Sequence, residues 1–290
     1  MSDLLNNIKS LRERTGAGFL DCKVALEQNN NEIQKSIDYL RKKGLAKASK
    51  KSGRTANEGA VGVFVNSDKT LLIEINTETD FAAKNEVFLN FVEKISKYLH
   101  EAQSENNINL DQFMEMSFEN KKISDYFTEI ISQIGENIVL KKFKFLKQNS
   151  NSKVFTYTHN AYKKNIGKMC VALNAEVDNI SDEVLSFGKN LCMHIAAMKP
   201  ISLDLNSLDD EIINKEKQIQ LETIQSSGKP KEIIEKILDG KMKKFYSEVL
   251  FLNQKYILDE ERSVEKVITD FNTKNEKFKI INYTMFILGS

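Results

Sequence analysis

The stretch Leu71–Asn85, which reads LLIEINTETDFAAKN, contains the pattern that decides the fold and the leading candidate site. The apolar run Leu71–Ile75 is typical of a buried strand, and the polar residues after it predict a turn. From Phe81 to about residue 101, apolar residues recur at helical spacing, which predicts a long amphipathic helix. A strand that passes through a turn into a helix predicts an α+β fold.

The same order of elements occurs a second time further along the chain. A second pair of strand-like runs precedes a helix that should begin at Asp182 and stop before Pro200. A helical pattern over 111–137 leads to a predicted strand over 138–146, and a last strand over 278–288 should complete a sheet. We therefore predict two similar α+β units, whose strand-like runs are Ala60–Val65, Leu71–Ile75, Lys153–Thr158 and Gly167–Glu176.

Residues 1–44 predict three short helices with a small apolar core of their own. The sequence Thr15-Gly16-Ala17-Gly18 predicts a turn between helices, since no strand precedes it as in a phosphate-binding loop. Gly44 stands where a glycine that caps the third helix is expected. The lysine-rich stretch 45–59 has the composition of a linker, which would let this first unit move relative to the rest.

Two amphipathic helical stretches, at 208–226 and 231–251, are separated by Ser227-Gly228-Lys229-Pro230. A glycine and a proline between two helical patterns predict an antiparallel helical hairpin. Its apolar stripes are narrow, so the hairpin either projects as the contact of a homodimer or packs against its own domain.

Composition and motifs argue against several classes of protein. No apolar run approaches the ~20 residues that span a bilayer, and the first residues lack the apolar segment of a signal peptide, so we expect a cytoplasmic protein. The three cysteines are widely spaced and predict no disulfide framework, and no metal site is expected from them or from the three histidines. The sequence has no nucleotide-binding loop and no hydrolase motif, so we expect neither a cofactor nor covalent chemistry.

Charge is distributed unevenly, although the formal net charge is only +1. Residues 1–56 hold 12 Lys and Arg against 6 Asp and Glu, which makes this segment basic and the remainder acidic. A basic segment can bind an acidic protein or nucleic acid. An RNA- or ribosome-binding protein is therefore the alternative function, although basic residues are seldom interleaved with aromatic ones and no RNA-binding signature is present.

Asp80 and Phe81 admit two interpretations. Phe81 precedes Phe88 by seven residues and could belong to the buried face of one helix, with Asp80 and the neighbouring threonines as its cap. Alternatively, the ring protrudes at the start of the helix and contacts another protein. Of the histidines, His194 lies in an apolar helix and is expected to be a hydrogen-bonded core residue, whereas His159 is expected to be exposed in a polar loop.

Five blocks of sequence stand out along the chain. They are Leu11–Leu26 (LRERTGAGFLDCKVAL), Glu74–Asn85 (EINTETDFAAKN), Ile134–Ile138 (IGENI), Met193–Pro200 (MHIAAMKP) and Gln225–Phe245 (QSSGKPKEIIEKILDGKMKKF). In this order they resemble the bacterial elongation factor Ts family over nearly the whole chain. The first two are similar to the two signatures of that family, and the other three to further family blocks.

The resemblance implies an architecture that agrees with the patterns above. It implies a three-helix module like ubiquitin-associated (UBA) domains, with its basic linker, at 1–53, and core N- and C-subdomains at 54–150 and 151–290. The C-subdomain would contain an inserted antiparallel helical hairpin at about 206–248 and a C-terminal segment at about 262–290.

The resemblance also implies a function, that of a guanine nucleotide exchange factor for the GTPase elongation factor Tu, which releases GDP without covalent chemistry of its own. The element that disturbs the Mg²⁺ and phosphate site of the GTPase maps onto Thr79, Asp80, Phe81 and Ala82. Further contacts with the GTPase map onto Arg12, Thr15, Gly16, Phe19, Ile134, Gly135 and His159. His159 is followed by Asn160 where the family usually has glycine, which leaves the role of this histidine open.

Overall fold

The computed structural model describes residues 2–66, 68–102, 108–149, 151–225, 230–274 and 277–290. The helices in these ranges are α1 (Ser2–Thr15), α2 (Phe19–Gln28), α3 (Ile33–Lys51), α4 (Asp80–Ala83), α5 (Glu86–Ala102), α6 (Leu110–Glu115), α7 (Ile123–Ile134), α8 (Asp182–Met198), α9 (Asp210–Gln225), α10 (Lys231–Val249) and α11 (Val264–Lys274). The strands are β1 (Glu58–Val65), β2 (Lys69–Thr77), β3 (Ser117–Phe118), β4 (Lys121–Lys122), β5 (Val139–Lys147), β6 (Ser152–Lys163), β7 (Ile166–Val177), β8 (Lys255–Tyr256), β9 (Asp259–Ser263) and β10 (Phe278–Ile287). The mixture of helices and antiparallel strands confirms the α+β prediction.

One six-stranded antiparallel sheet runs through both halves of the core. Its order is β10-β7-β1-β2-β5, and β6 pairs with β7 off this path. The hairpins β1–β2 and β6–β7 meet through a short pairing of Val61 with Gly167 and of Gly62 with Ile166. The predicted C-terminal strand completes the sheet, because β10 pairs with β7 along most of its length.

Helices cover the two hairpins and form two apolar clusters with them. In the first cluster, α5 places Phe88, Val92, Ile95 and Leu99 against β1, β2 and β5, at the spacing of one helix face. In the second, α8 and α11 pack against β6, β7 and β10. A third cluster joins residues of β1, β2, β5, β6, β7 and β10. The pattern of each hairpin followed by a helix is therefore observed twice, within a single continuous sheet.

The three N-terminal helices form a small core of their own, and α3 continues beyond its predicted end. The prediction that Gly44 caps α3 is wrong, since the helix runs to Lys51 and Gly44 is buried within it. A side chain at Gly44 would lie 3.6 Å from the Cβ of Ser132 in α7, so the glycine lets the two helices approach closely. Residues 45–51 of the predicted linker belong to α3, and Lys51 donates a hydrogen bond to the carbonyl oxygen of Gly135.

Two long helices predicted from periodicity are interrupted in the structure. The helical pattern from Phe81 is divided into α4 and α5, because the side chain of Asn85 accepts a hydrogen bond from the Val87 N–H at 2.9 Å and starts a new helix. The pattern over 111–137 is divided by the β3–β4 turn, where Glu119 and Asn120 have positive φ angles of 51° and 63°.

Helices α9 and α10 pack against each other through a separate apolar cluster centred on Ile224, Leu238 and Met242. The predicted turn between them falls largely on residues 226–229, which lie outside the described residues. None of the helices in the described ranges is both long enough and apolar enough to cross a membrane.

Candidate functional site

Helix α4 is a single turn that begins directly after β2. The Thr79 hydroxyl caps it by accepting a hydrogen bond from the Ala82 N–H at 3.2 Å. Ala82 and Ala83 are buried, whereas the ring of Phe81 is 84% exposed. The interpretation of Phe81 as a core residue is therefore wrong, because the break at Asn85 puts its helix out of phase with the buried face of α5. The cap exists, with Thr79 rather than Asp80 as the capping residue.

Asp80 and Lys84 form an ion pair at 2.8 Å across this turn. The hydrogen bond from Lys84 lowers the pKa of Asp80, and the same contact raises the pKa of Lys84. Lys168 of β7 adds a weaker electrostatic effect that also lowers the pKa of Asp80. An ionised carboxylate therefore stands next to Phe81, whose ring is exposed.

Glu136, which sequence reasoning did not single out, anchors the start of α4. Its Oε2 atom accepts hydrogen bonds from the Thr77 hydroxyl and from the backbone N–H groups of Glu78 and Thr79, at 2.9, 3.1 and 2.9 Å. Its Oε1 atom accepts the Thr79 hydroxyl at 2.6 Å. Burial acts to raise the pKa of Glu136, but the hydrogen bonds from Thr79 and Thr77 outweigh it and lower the pKa.

A second carboxylate, that of Glu78 at the end of β2, binds the segment that contains Glu136. Glu78 accepts a hydrogen bond from the Asn137 N–H at 2.6 Å, and the Asn137 side chain donates to the carbonyl oxygen of Arg54 at 2.8 Å. Arg54 in turn lies 3.5 Å from Glu78. These contacts join three segments at one point, namely the end of β2, the residues after α7 and the residues after α3.

The N-terminal candidate residues surround the α1–α2 turn, beside the end of α7. Arg12 is exposed, Phe19 is 45% exposed, and Thr15 bonds its own helix through the Leu11 carbonyl oxygen. Gly16 has a φ of 64°, and a side chain there would come within 3.0 Å of Gln133. Gln133 immediately precedes Ile134 and Gly135, so the structure brings these two groups of candidates together.

The end of α7 explains why a glycine occupies position 135. Gly135 adopts the left-handed conformation, with a φ of 88°, and its N–H bonds the Ile131 carbonyl oxygen at 2.9 Å. This conformation favours glycine at the end of a helix. Ile134 is half-buried against the first apolar cluster. Gly135 therefore turns the chain so that Glu136 can face Thr79.

His159 is exposed, as predicted, but it lies within β6 rather than in a loop. Its Nδ1 atom is 3.1 Å from the hydroxyl of Tyr157, so its hydrogen-bond partner is a neighbour on the same strand rather than another candidate residue. Asn160 has a φ of 49°, a left-handed conformation that asparagine tolerates better than most residues. The strand therefore accommodates Asn160 at the position where glycine was expected.

His194 is a hydrogen-bonded core residue, as predicted. Its Nδ1 atom accepts the Ile257 N–H at 3.2 Å, so its Nε2–H donates to Oε1 of Gln254 at 3.0 Å. Burial lowers the pKa of His194, against the opposing effect of Gln254. The three cysteines are buried free thiols, and no metal-binding group of three acidic, His or Cys residues occurs among the described residues.

Several basic side chains of the N-terminal segment have partners within the protein. Lys43 and Lys47 each lie 2.9 Å from Asp21, and their hydrogen bonds lower its pKa. Arg41 pairs with Asp125 of α7 at 2.5 Å. Part of the positive charge noted in the sequence therefore joins the N-terminal helices to each other and to the core.

Comparisons with known proteins show the family to which the chain belongs. The family model described as "Elongation factor TS" matches residues 78–290. The chain is 38% identical over 283 residues to "Elongation factor Ts" of Gluconobacter oxydans, a match that covers 97% of this chain and 90% of that protein. It is 40% identical over 290 residues to the protein of the same name from Halothermothrix orenii, covering 98% and 92% of the two chains. The chain belongs to the elongation factor Ts family of translation elongation factors.

Proposed function

We propose that this chain is a guanine nucleotide exchange factor for elongation factor Tu. It binds the GDP-bound GTPase, disturbs the Mg²⁺ and phosphate site, and holds the nucleotide-free GTPase until GTP binds. Membership of the elongation factor Ts family supports this function. The single observation that carries the proposal is the 84% exposed ring of Phe81 on a capped turn, in a segment that resembles the exchange element of the family.

Exposure of Phe81 has a physical meaning in this proposal. Burial of a large aromatic side chain contributes about 1.5–3 kcal/mol of favourable free energy. Because the Phe81 ring is exposed in the free protein, this free energy can stabilise the complex. Mg²⁺ requires near-ideal octahedral geometry, so a small displacement of the elements that hold its ligands weakens nucleotide binding. Insertion of the Phe81 ring between such elements converts apolar burial into release of GDP.

Exchange requires a difference in affinity rather than bond making. The protein must bind nucleotide-free elongation factor Tu more tightly than the GDP-bound form, and linkage requires that it weaken GDP by the same factor. Each tenfold change in affinity corresponds to about 1.4 kcal/mol, so Phe81 alone accounts for roughly one to two powers of ten. Other contacts must supply the rest.

We assign those contacts to Arg12, Thr15, Gly16, Phe19, Ile134 and Gly135. In support, Gly16 lies close to Gln133, which immediately precedes Ile134 and Gly135. The next residue, Glu136, binds Thr79. The N-terminal helices would act as the UBA-like module of 1–53, and 54–150 and 151–290 as the two core subdomains. His159, exposed on β6, would be a peripheral contact, and the function would be performed in the cytoplasm.

The α9–α10 pair is proposed to be the inserted helical hairpin and the contact of a homodimer. Ile219 and Ile233 are 47% and 46% exposed, which supports an apolar contact on these helices. A nucleic-acid partner is not proposed, since Lys43, Lys47 and Arg41 are paired with carboxylates of the protein itself.

Release of a fluorescent GDP analogue from elongation factor Tu tests the proposal. The chain should accelerate release in a manner that saturates with its concentration, and excess unlabelled GDP should trap the emptied GTPase. A release rate equal to the spontaneous rate would contradict the proposed function. The nucleic-acid alternative is tested separately by the binding of the chain to RNA at rising salt, because phosphate binding weakens steeply with salt.

A further inference from the structure

We propose that Glu136 is a positioning residue, whose carboxylate holds α4 in the conformation that presents Phe81 to the GTPase. This inference rests on the proposed exchange function and extends it to a residue outside the segment Thr79–Ala82. Glu136 acts through α4 rather than by touching the nucleotide or its Mg²⁺.

The first argument is that the ring of Phe81 cannot orient itself. At 84% exposure it has little packing, so its direction depends on the backbone that carries it. That backbone is a helix of four residues, and a single turn is not stable without outside contacts. The position of the ring is therefore determined by whatever fixes the start of α4.

The second argument is that Glu136 supplies most of that fixation. Four hydrogen bonds from Thr77, Glu78 and Thr79 converge on its two oxygens, at distances between 2.6 and 3.1 Å. The Thr79 hydroxyl that donates to Glu136 also accepts from the Ala82 N–H and so caps α4. One carboxylate thus orients the cap, and the cap orients the helical turn that contains Phe81.

The third argument is that the connection is reciprocal and reaches the N-terminal helices. The Glu78 side chain accepts a hydrogen bond from the Asn137 N–H, and the Glu136 side chain accepts one from the Glu78 N–H. Each of the two segments therefore supplies both a carboxylate and a backbone donor to the other. The preceding residue, Gly135, accepts a hydrogen bond from Lys51 of α3. The segment 135–137 is therefore a common support for α3 and α4.

The alternatives are that Glu136 only stabilises the fold or that it contacts the GTPase itself. Under either alternative, loss of Glu136 lowers exchange whether or not Phe81 is present. Under the positioning role, loss of Glu136 matters only while there is a ring to position. A double-mutant cycle between the two residues therefore distinguishes them.

The experiment measures the maximal rate of GDP release from elongation factor Tu with the full-length chain and its Glu136→Ala, Phe81→Ala and doubly substituted variants. Glu136→Ala should lower the stimulated rate about tenfold or more, as expected for hydrogen bonds to a charged group. In the Phe81→Ala background the same change should have almost no further effect. Glu115→Ala is the matched control, because it removes an exposed carboxylate that pairs with Lys122 in the described part of the chain, and its rate should equal that of the unchanged chain.

The outcomes separate the two claims. Equal losses in both backgrounds, or no loss at all, would overturn the positioning role while leaving the exchange function intact. An unchanged chain that does not accelerate release would overturn the exchange function and the inference with it. Glu136→Gln repeats the cycle in case Glu136→Ala does not fold, since the amide keeps one acceptor oxygen and should give a smaller loss that again disappears without Phe81.

Discussion

Phe81 and Ala82 are consecutive residues of one helical turn, yet the ring of Phe81 is 84% exposed and Ala82 is 6% exposed. The small side chain anchors the turn on the core, and the large one is left in water. An exposed large apolar side chain of this kind, on an element that is itself held firmly, is suited to insertion into a partner.

Substitution of Phe81 by alanine should lower GDP release without loss of stability. Removal of a ring that is buried only in the complex should cost about 1.5–3 kcal/mol there, or roughly ten- to a hundredfold in the stimulated rate. The free energy of unfolding should stay within about 0.5 kcal/mol of the original value, because the ring has little packing in the free protein.

Ile180→Ala provides the control for that prediction. Ile180 is 57% exposed in the segment between β7 and α8, so its removal also takes an apolar side chain from the surface. Its stimulated release rate should match that of the unchanged chain. Equal effects of the two substitutions would show that Phe81 has no special part in exchange.

The long, regular elements were predictable because their signals are local. Helix α8 begins at Asp182 and ends at Met198 as expected, since the Ser181 hydroxyl caps it and Pro200 follows. Strands β5 and β10 were likewise predicted to within a residue or two. The sequence also contained the signal that divides α4 from α5, an asparagine at position 85, but periodicity across the division concealed it.

The support of the candidate site was not predictable from local patterns. Glu136 binds residues that lie 57 to 59 positions earlier in the chain, and no spacing rule connects them. Gly44 has the appearance of a helix cap, and only the approach of α7 explains it as a packing residue. Exposure of Phe81 depends on the break at Asn85, so the choice between a buried and an exposed ring needed the three-dimensional arrangement.

Substitution of two helical glycines by alanine should change the free energy of unfolding in opposite directions. A side chain at Gly188 of α8 would come within 2.2 Å of the buried ring of Phe155, so Gly188→Ala should destabilise by about 1–3 kcal/mol or more. Gly240 of α10 has open space around it, so Gly240→Ala should stabilise by about 0.5–1 kcal/mol through helix propensity.

Amide hydrogen exchange of α8 and α10 measures the two effects where they occur. Exchange should become faster in α8 for Gly188→Ala and slower in α10 for Gly240→Ala. Exchange that is not faster in α8 for Gly188→Ala would contradict the close approach of α8 to Phe155, and faster exchange in α10 for Gly240→Ala would contradict the open space at Gly240.

Stability should fall in mild acid because of His194. Burial lowers the pKa of this histidine in the folded protein, so below its ordinary value of 6.5 the unfolded state takes up a proton first. The stability that neutral His194 contributes is complete above pH 6.5 and is lost as the pH falls towards the folded pKa. The slope for this one group is at most about 1.4 kcal/mol per pH unit.

Denaturant unfolding between pH 7 and pH 5 measures this dependence. His100, whose pKa is also lowered by burial, contributes in the same direction, so the share of His194 is the difference between the unchanged chain and His194→Gln. A His194→Gln slope equal to the original would contradict the neutral, hydrogen-bonded state of His194.

The affinity of the chain for nucleotide-free and for GDP-bound elongation factor Tu, measured side by side by calorimetry, tests the central claim most directly. The account predicts tighter binding to the nucleotide-free GTPase, by the same factor by which the chain weakens GDP, and a smaller ratio for Phe81→Ala. Equal affinity for the two forms would contradict the account, because a protein that binds both forms equally cannot promote release.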